Sequence, residues 1–278
     1  HRDLHSFPTR RSSDLGDGQG GFGLASVSGG WTAPDDLTAC VGWHLESGKP
    51  ALLVGISGFE IPGAAAVMEW TLENGRLQPR PGVVFEGLPA VVGPLALGDL
   101  DGDGDLDLFV GSGSLPGKYP LAGASAIYRR ADGMWVRDAE NSAVLSGSGI
   151  VNGAVWSDLT GDGYPELILA CEWGPVRVYR NQGGRLREVT DELGLSPYLG
   201  WWRGVTTGDL DGDGRLDIVA GNWGLNSPFQ ASLARPFRML HGDFLGGGRE
   251  DLIETEYDPA SGAVARKSPL LNSSHRIR

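Results

Sequence analysis

Only two cysteines, Cys40 and Cys171, occur in 278 residues. They stand at different positions relative to the repeats described below, so a disulfide between them is not expected. Both are expected to serve as small buried apolar residues. No apolar run reaches the roughly 18 residues that a spanning helix needs. No basic stripe occurs either: 23 Lys and Arg face 35 Asp and Glu, for a net charge of −12. That balance disfavours a nucleic-acid partner. No stretch sustains helical periodicity. The sequence lacks His-Glu-x-x-His, Gly-x-Ser-x-Gly, Cys-x-x-Cys and Walker motifs, and beyond residue 15 its histidines are His44, His241 and His275. Gly16–Gly21 satisfies Gly-x-Gly-x-x-Gly literally but lacks the strand and helix that give that pattern meaning. These absences argue against catalysis and for an all-β chain.

Glycine is abundant, with 45 residues, more than twice the usual share of about 7%. Many of these glycines sit in one acidic pattern. Gly98-Asp99-Leu100-Asp101-Gly102-Asp103-Gly104-Asp105-Leu106-Asp107 returns as Gly208-Asp209-Leu210-Asp211-Gly212-Asp213-Gly214-Arg215-Leu216-Asp217. A carboxylate at every second residue, broken by glycine, suits a loop wrapped around Ca²⁺, which takes six to eight oxygens. Asp99, Asp101, Asp103 and Asp107 offer side-chain oxygens and Asp105 its carbonyl. In the second copy Asp209, Asp211, Asp213 and Asp217 do the same, with Arg215 giving a carbonyl. An EF-hand needs an acidic twelfth residue and a following helix. Here Val110 and Ala220 hold that position, and an alternating apolar run follows, so a strand-loop-strand site is expected.

Three weaker copies align with these. Ser157–Leu169 keeps Asp158, Thr160, Asp162 and Glu166 as ligands, with Tyr164 in the carbonyl slot. Gly42–Gly55 has lost the aspartates, and Gly242–Ile253 keeps only Asp243 and Asp251. The first of these is expected to bind metal; the other two are expected to keep the turn without the ion. The three competent loops carry twelve carboxylates, which accounts for much of the acidity without a basic partner. The units begin near residues 43, 99, 158, 209 and 243, at spacings of 56, 59, 51 and 34 residues. Between them lie hairpin signals: Asn74-Gly75, Asp132-Gly133 and Gln182-Gly183-Gly184, each flanked by β-type runs. About four strands per unit is the size of a propeller blade.

These loops resemble the FG-GAP, or VCBS, repeat of integrin α-chain propellers and of many bacterial secreted proteins. The run Gly200-Trp201-Trp202-Arg203-Gly204-Val205, continuing to Gly221-Asn222-Trp223-Gly224, is similar to bacterial relatives of cartilage acidic protein, which often carry an ASPIC/UnbV domain. The resemblance covers roughly residues 16 to 260. It implies a calcium-binding β-propeller, here a fragment of a ring that is usually seven-bladed, with Ca²⁺ as cofactor at the blade edges. The last spacing is too short for a full blade.

Residues 1–15 match a conceptual translation of a sequencing adapter and are expected to be disordered, leaving 16–278 as a partial propeller. Gly16–Phe22 reads as the turn and last strand of a blade whose beginning is missing. Trp201 and Trp202 precede a loop, and Trp173 and Trp223 follow the strand after one. With Glu172 and Asn222 they are a candidate ligand face, the alternative being packing between blades. The function expected is a non-catalytic, calcium-binding module for protein or glycan ligands. Loops of this kind suit the millimolar calcium outside cells, hence an extracellular, cell-surface or periplasmic location. The alternatives are a carbohydrate-active lyase or dehydratase, and a lectin.

Overall fold

The computed structural model describes residues 13–16, 22–27, 31–83, 85–224, 231–248, 250–258 and 262–266. β1 (Ser13–Gly16) and β2 (Phe22–Val27) pair antiparallel. Ser13, Asp14 and Leu15, expected to be disordered, thus belong to a strand, since backbone pairing with Gly23–Ala25 makes no demand on side chains. Residues 1–12 of that segment lie outside the described residues. The first unit is an antiparallel meander of β3 (Leu37–His44), β4 (Pro50–Ile56), β5 (Ala66–Glu73) and β6 (Arg76–Pro79). β2 adds to β6 in parallel, so it extends this unit and is not the last strand of a separate blade.

The second unit repeats the plan with β7 (Val92–Gly98), β8 (Asp107–Ser112), β9 (Ala126–Ala131) and β10 (Met134–Asp138). A short helix, α1 (Ala139–Val144), follows, its first turn capped by Asp138. The third unit is β11 (Ile150–Ser157), β12 (Glu166–Gly174), β13 (Val176–Asn181) and β14 (Leu186–Glu188). The fourth shows only β15 (Gly200–Gly208) and β16 (Asp217–Asn222). Only 15 residues separate it from β17 (Arg238–Gly242), which pairs with β18 (Asp251–Asp258), and β18 pairs in turn with β19 (Ala263–Arg266). The short final spacing is thus an outer hairpin left out of the fourth unit, among the described residues. The hairpin turns carry the torsions their sequences require. Asn74 and Gly75 stand at φ 49° and 74°, and Asp132 and Gly133 at φ 49° and 72°, the left-handed pair of a two-residue turn.

The strands that enter each loop, β3, β7, β11 and β15, lie side by side, so successive sheets stack like blades. Strand alternation then assigns each side chain to one neighbour. On β8, Leu108 and Val110 pack toward the first unit with Leu53 and Val92, while Phe109 packs toward the third with Leu167 and Leu169. Ile168, on the other face of β12, joins Val178, Val205 and Ile218 at the fourth unit. A sheet packed on both faces is why β8 is buried along its whole length. Close approach of the inner strands requires glycine: a Cβ on Gly153 would lie 3.0 Å from the Cα of Gly204. Cys171 is buried in this core, as expected, but Cys40 is exposed. On β3 the alternation turns Val41 and Trp43 to the packed side and leaves Cys40 on the other.

Candidate functional site

Each loop hangs on two carboxylates that accept backbone N–H groups. Asp99 accepts from Gly102 at 2.7 Å and Gly104 at 3.0 Å, and Asp209 accepts from Gly212 and Gly214 at the same distances. Asp158 accepts from Gly161, Asp162 and Gly163, and these bonds, led by that of Gly163, hold its carboxyl below the usual range. The last carboxylate closes the loop from the other side. Asp107, Glu166, Asp217 and Asp251 accept from the amides of Leu100, Leu159, Leu210 and Leu245 at 2.9–3.1 Å. Between them Asp103, Asp162 and Asp213 each accept from the amide two residues on, those of Asp105, Tyr164 and Arg215. Side chains therefore shape the loop, and glycines with positive φ, such as Gly102 at 78° and Gly104 at 92°, let it turn.

This frame brings some predicted ligands together. Asp99, Asp101 and Asp107 each place a carboxylate oxygen within 4.8 Å of the others, as do Asp209, Asp211 and Asp217. In the third loop Asp158, Asp162 and Glu166 do not form such a group among the described residues, and Thr160 puts a hydroxyl at the position that Asp101 and Asp211 hold in the other two. There Glu166 Oε1 is buried beside the Asn181 amide and completes no hydrogen bond. Burial pushes Asp107 up to about 6 and Glu166 above its usual range, which is what a buried carboxylate does without a cation. Hard oxygen donors, an orphaned carboxylate oxygen and carbonyl slots fit Ca²⁺. The turn after β3 has no aspartate frame: Leu45 and Lys49 close it through backbone bonds. The loop between β17 and β18 keeps the frame on Asp243 and Asp251 alone.

A second constellation lies at the opposite ends of the same strands. Trp173 takes a left-handed φ of 63°, rare for a bulky residue. This turn shifts the tail of β12 so that Glu172 pairs with Ile150 in its own unit and with Trp201 of the next. The carboxylate of Glu172 then meets donors from three units: Tyr119 Oη at 2.5 Å, Asn152 Nδ2 at 3.3 Å and Arg203 at 3.2 Å. Trp173 Nε1 donates to Tyr119 Oη at 2.5 Å. Trp173, Trp201 and Trp223 form a row with ring centroids 4.9 and 4.7 Å apart, and Phe237 flanks it at 5.9 Å from Trp173. Asn222 stands on β16 where Glu172 stands on β12, each opposite the inner strand of its unit. Trp202, also a predicted ligand-face residue, is on the other side of β15, where it packs in the apolar core and donates to the Tyr198 carbonyl. Tyr119, Asn152 and Arg203 went unnoticed in the sequence, because nothing in their local pattern points to Glu172.

Among the described residues no helix is long and apolar enough to cross a membrane. No curated protein matches the chain. Residues 158–220, from the third loop through the fourth and into β16, match the model of the FG-GAP-like repeat. With loops of one design recurring at the entry to successive blade-like sheets, the chain carries an FG-GAP-like repeat at residues 158–220.

Proposed function

We propose that this chain is a calcium-binding extracellular module of the propeller type, with its units beginning near residues 43, 99, 158, 209 and 243, and that it binds a protein or carbohydrate without catalysing a reaction. The observation that carries the reading is the repeated frame: three loops hold the same carboxylates in the same hydrogen bonds, and two gather three acidic side chains within 4.8 Å. Asp99, Asp101, Asp103 and Asp107 would hold one ion with the Asp105 carbonyl. Asp209, Asp211, Asp213 and Asp217 would hold a second with the Arg215 carbonyl. Asp158, Thr160, Asp162 and Glu166 would hold a third with the Tyr164 carbonyl. Bound Ca²⁺ supplies the positive charge that lets these carboxylates crowd together. Such loops hold the edges of the units and leave the opposite ends of the strands free to present a ligand surface. Their open sites suit the millimolar calcium outside cells.

An enzyme needs a group poised to move a proton. Tyr119 has its phenol pushed well above the usual range by burial and by Glu172, so it is a poor base at neutral pH. Thermal unfolding in CaCl₂ and in EGTA tests the metal reading. At a hundred times the dissociation constant, each site adds about 2.7 kcal/mol, a rise of several degrees in Tm. Identical melting curves would sink it.

A further inference from the structure

The row of indoles opposite the loops is not used by the fold in the way the other large apolar side chains are. Trp173, Trp201 and Trp223 belong to none of the apolar clusters between the units. Trp223 leaves 49% of its surface in solvent. At the Trp173 end of the row, where its indole donates to Tyr119, stands an ordered polar edge. Tyr119, Asn152 and Arg203 fix the Glu172 carboxylate from three separate units, and the Arg203 side chain is itself 61% exposed, so its remaining donors face water. The left-handed Trp173 is the local strain that brings Glu172 to this junction. Strain of this kind costs on the order of 1–3 kcal/mol and collects at binding sites.

We infer that this junction between the third and fourth units binds a neutral saccharide chain. This rests on the reading of the chain as a binding module and names its ligand class. A pyranose ring has one apolar C–H face and a rim of hydroxyls. The exposed indole of Trp223 offers a flat platform for the C–H face. Glu172, acceptor only, and Arg203, donor only, lie side by side at 3.2 Å. Neighbouring hydroxyls can donate to the first and accept from the second. The site is an open platform, which fits a ring within a longer chain. A net charge of −12 disfavours polyanionic glycans over neutral ones.

The test is tryptophan fluorescence and calorimetry of the calcium-loaded chain with cellohexaose, laminarihexaose, mannohexaose and chitohexaose at millimolar concentrations, with hexagalacturonate and a tryptic digest of serum albumin as further probes. At least one neutral hexasaccharide is expected to bind. Trp223→Ala should weaken it at least tenfold and Arg203→Met about threefold, while Lys49→Gln, an exposed change in the first unit, leaves it unchanged. Both altered side chains at the platform are substantially exposed, so the variants should fold, and their melting curves check this. Silence from every neutral sugar in a protein whose Tm does respond to EGTA overturns the inference and leaves the calcium reading standing. Binding without any response to EGTA supports the inference and sinks the calcium reading. Equal affinity in Trp223→Ala and Arg203→Met overturns it by placing the site elsewhere. Preference for hexagalacturonate, or quenching by the peptide digest alone, overturns it in favour of an acidic glycan or a protein.

Discussion

Arg129 pairs through one guanidinium nitrogen with Asp101, a residue of the second loop, and through its Nε with Asp138 at 2.9 Å. A third nitrogen donates to the Gly184 carbonyl at 2.7 Å, in the hairpin of the next unit. The guanidinium thus lends a positive charge to one calcium loop and ties that loop to the neighbouring unit. No predicted calcium ligand in the fourth loop has an ion pair of this kind among the described residues.

The two complete loops should therefore differ. Arg129 competes with Ca²⁺ for Asp101, so Arg129→Gln should tighten calcium binding at the 99–107 loop. The gain should be about three- to tenfold, on the order of 1 kcal/mol, with the 209–217 loop unaffected. In EGTA the same variant should be less stable by about 1–2 kcal/mol, because three charge-assisted hydrogen bonds are lost. Calorimetric titration and urea unfolding measure the two effects. Unchanged affinity at both loops would show that Arg129 has no bearing on the ion.

A second arginine is buried outright. Arg130 lies over the contacting rings of Trp43 and Trp135, at 4.7 and 4.8 Å from their centroids, which are themselves 5.4 Å apart. Its counterion is Glu69, 3.5 Å away and paired also with Arg80 at 2.7 Å. Removing one partner of such a group strands a charge in the core, a cost of about 3–5 kcal/mol. Glu69→Ala should lose that much in urea unfolding. Replacing both partners, in Glu69→Leu with Arg130→Met, should recover most of it. A double variant as unstable as the single one would mean that the pair contributes through packing and not through charge compensation.

These arginines mark where the sequence stops being readable. Loops were legible because the chemistry of each lies within ten consecutive residues, and Asp101 needs no distant partner to be seen as acidic. Hairpins were legible for the same reason: Asn74-Gly75 and Asp132-Gly133 specify their own torsions. The tryptophan registers gave half of the face opposite the loops, but alternation on β15 sends Trp201 and Trp202 to different sides, and only the three-dimensional sheet decides which side is core. Tyr119, Asn152 and Arg203 reach Glu172 across 53, 20 and 31 residues. No local period encodes contacts made between units. The fate of Cys40 was misjudged on the same account, since the packed side of β3 is set by its neighbour β7 and not by β3 itself.

Stacking of the inner strands sets a steric condition. A Cβ on Gly98 would lie 2.5 Å from Cγ of Trp156 in the adjacent unit. Trp156 is itself fixed by its Nε1, which donates to the Ala96 carbonyl at 3.3 Å. Gly98→Ala should therefore cost about 1–3 kcal/mol through overpacking. A smaller side chain at position 156 should relieve it, so that Gly98→Ala with Trp156→Leu costs less than the two separate losses combined. Strict additivity in urea unfolding would separate the two sites and contradict the stacking.

Acid should act on the second unit through Asp138. Burial raises its pKa, but the Asn141 amide, the Asn141 side chain and Arg129 outweigh this and hold the carboxyl below its usual range. A carboxyl whose folded pKa is depressed adds stability above its unfolded value, near 4. It loses that contribution as pH falls through the folded value. Asp138→Asn keeps an N-cap acceptor but removes the charge, so at pH 7 it should cost about 1–2 kcal/mol. The difference between wild type and variant should shrink once the pH drops below about 4. Urea midpoints of both proteins in EGTA, followed from neutral to acid, measure it. A gap that stays constant or widens on acidification would place the role of Asp138 in its shape alone.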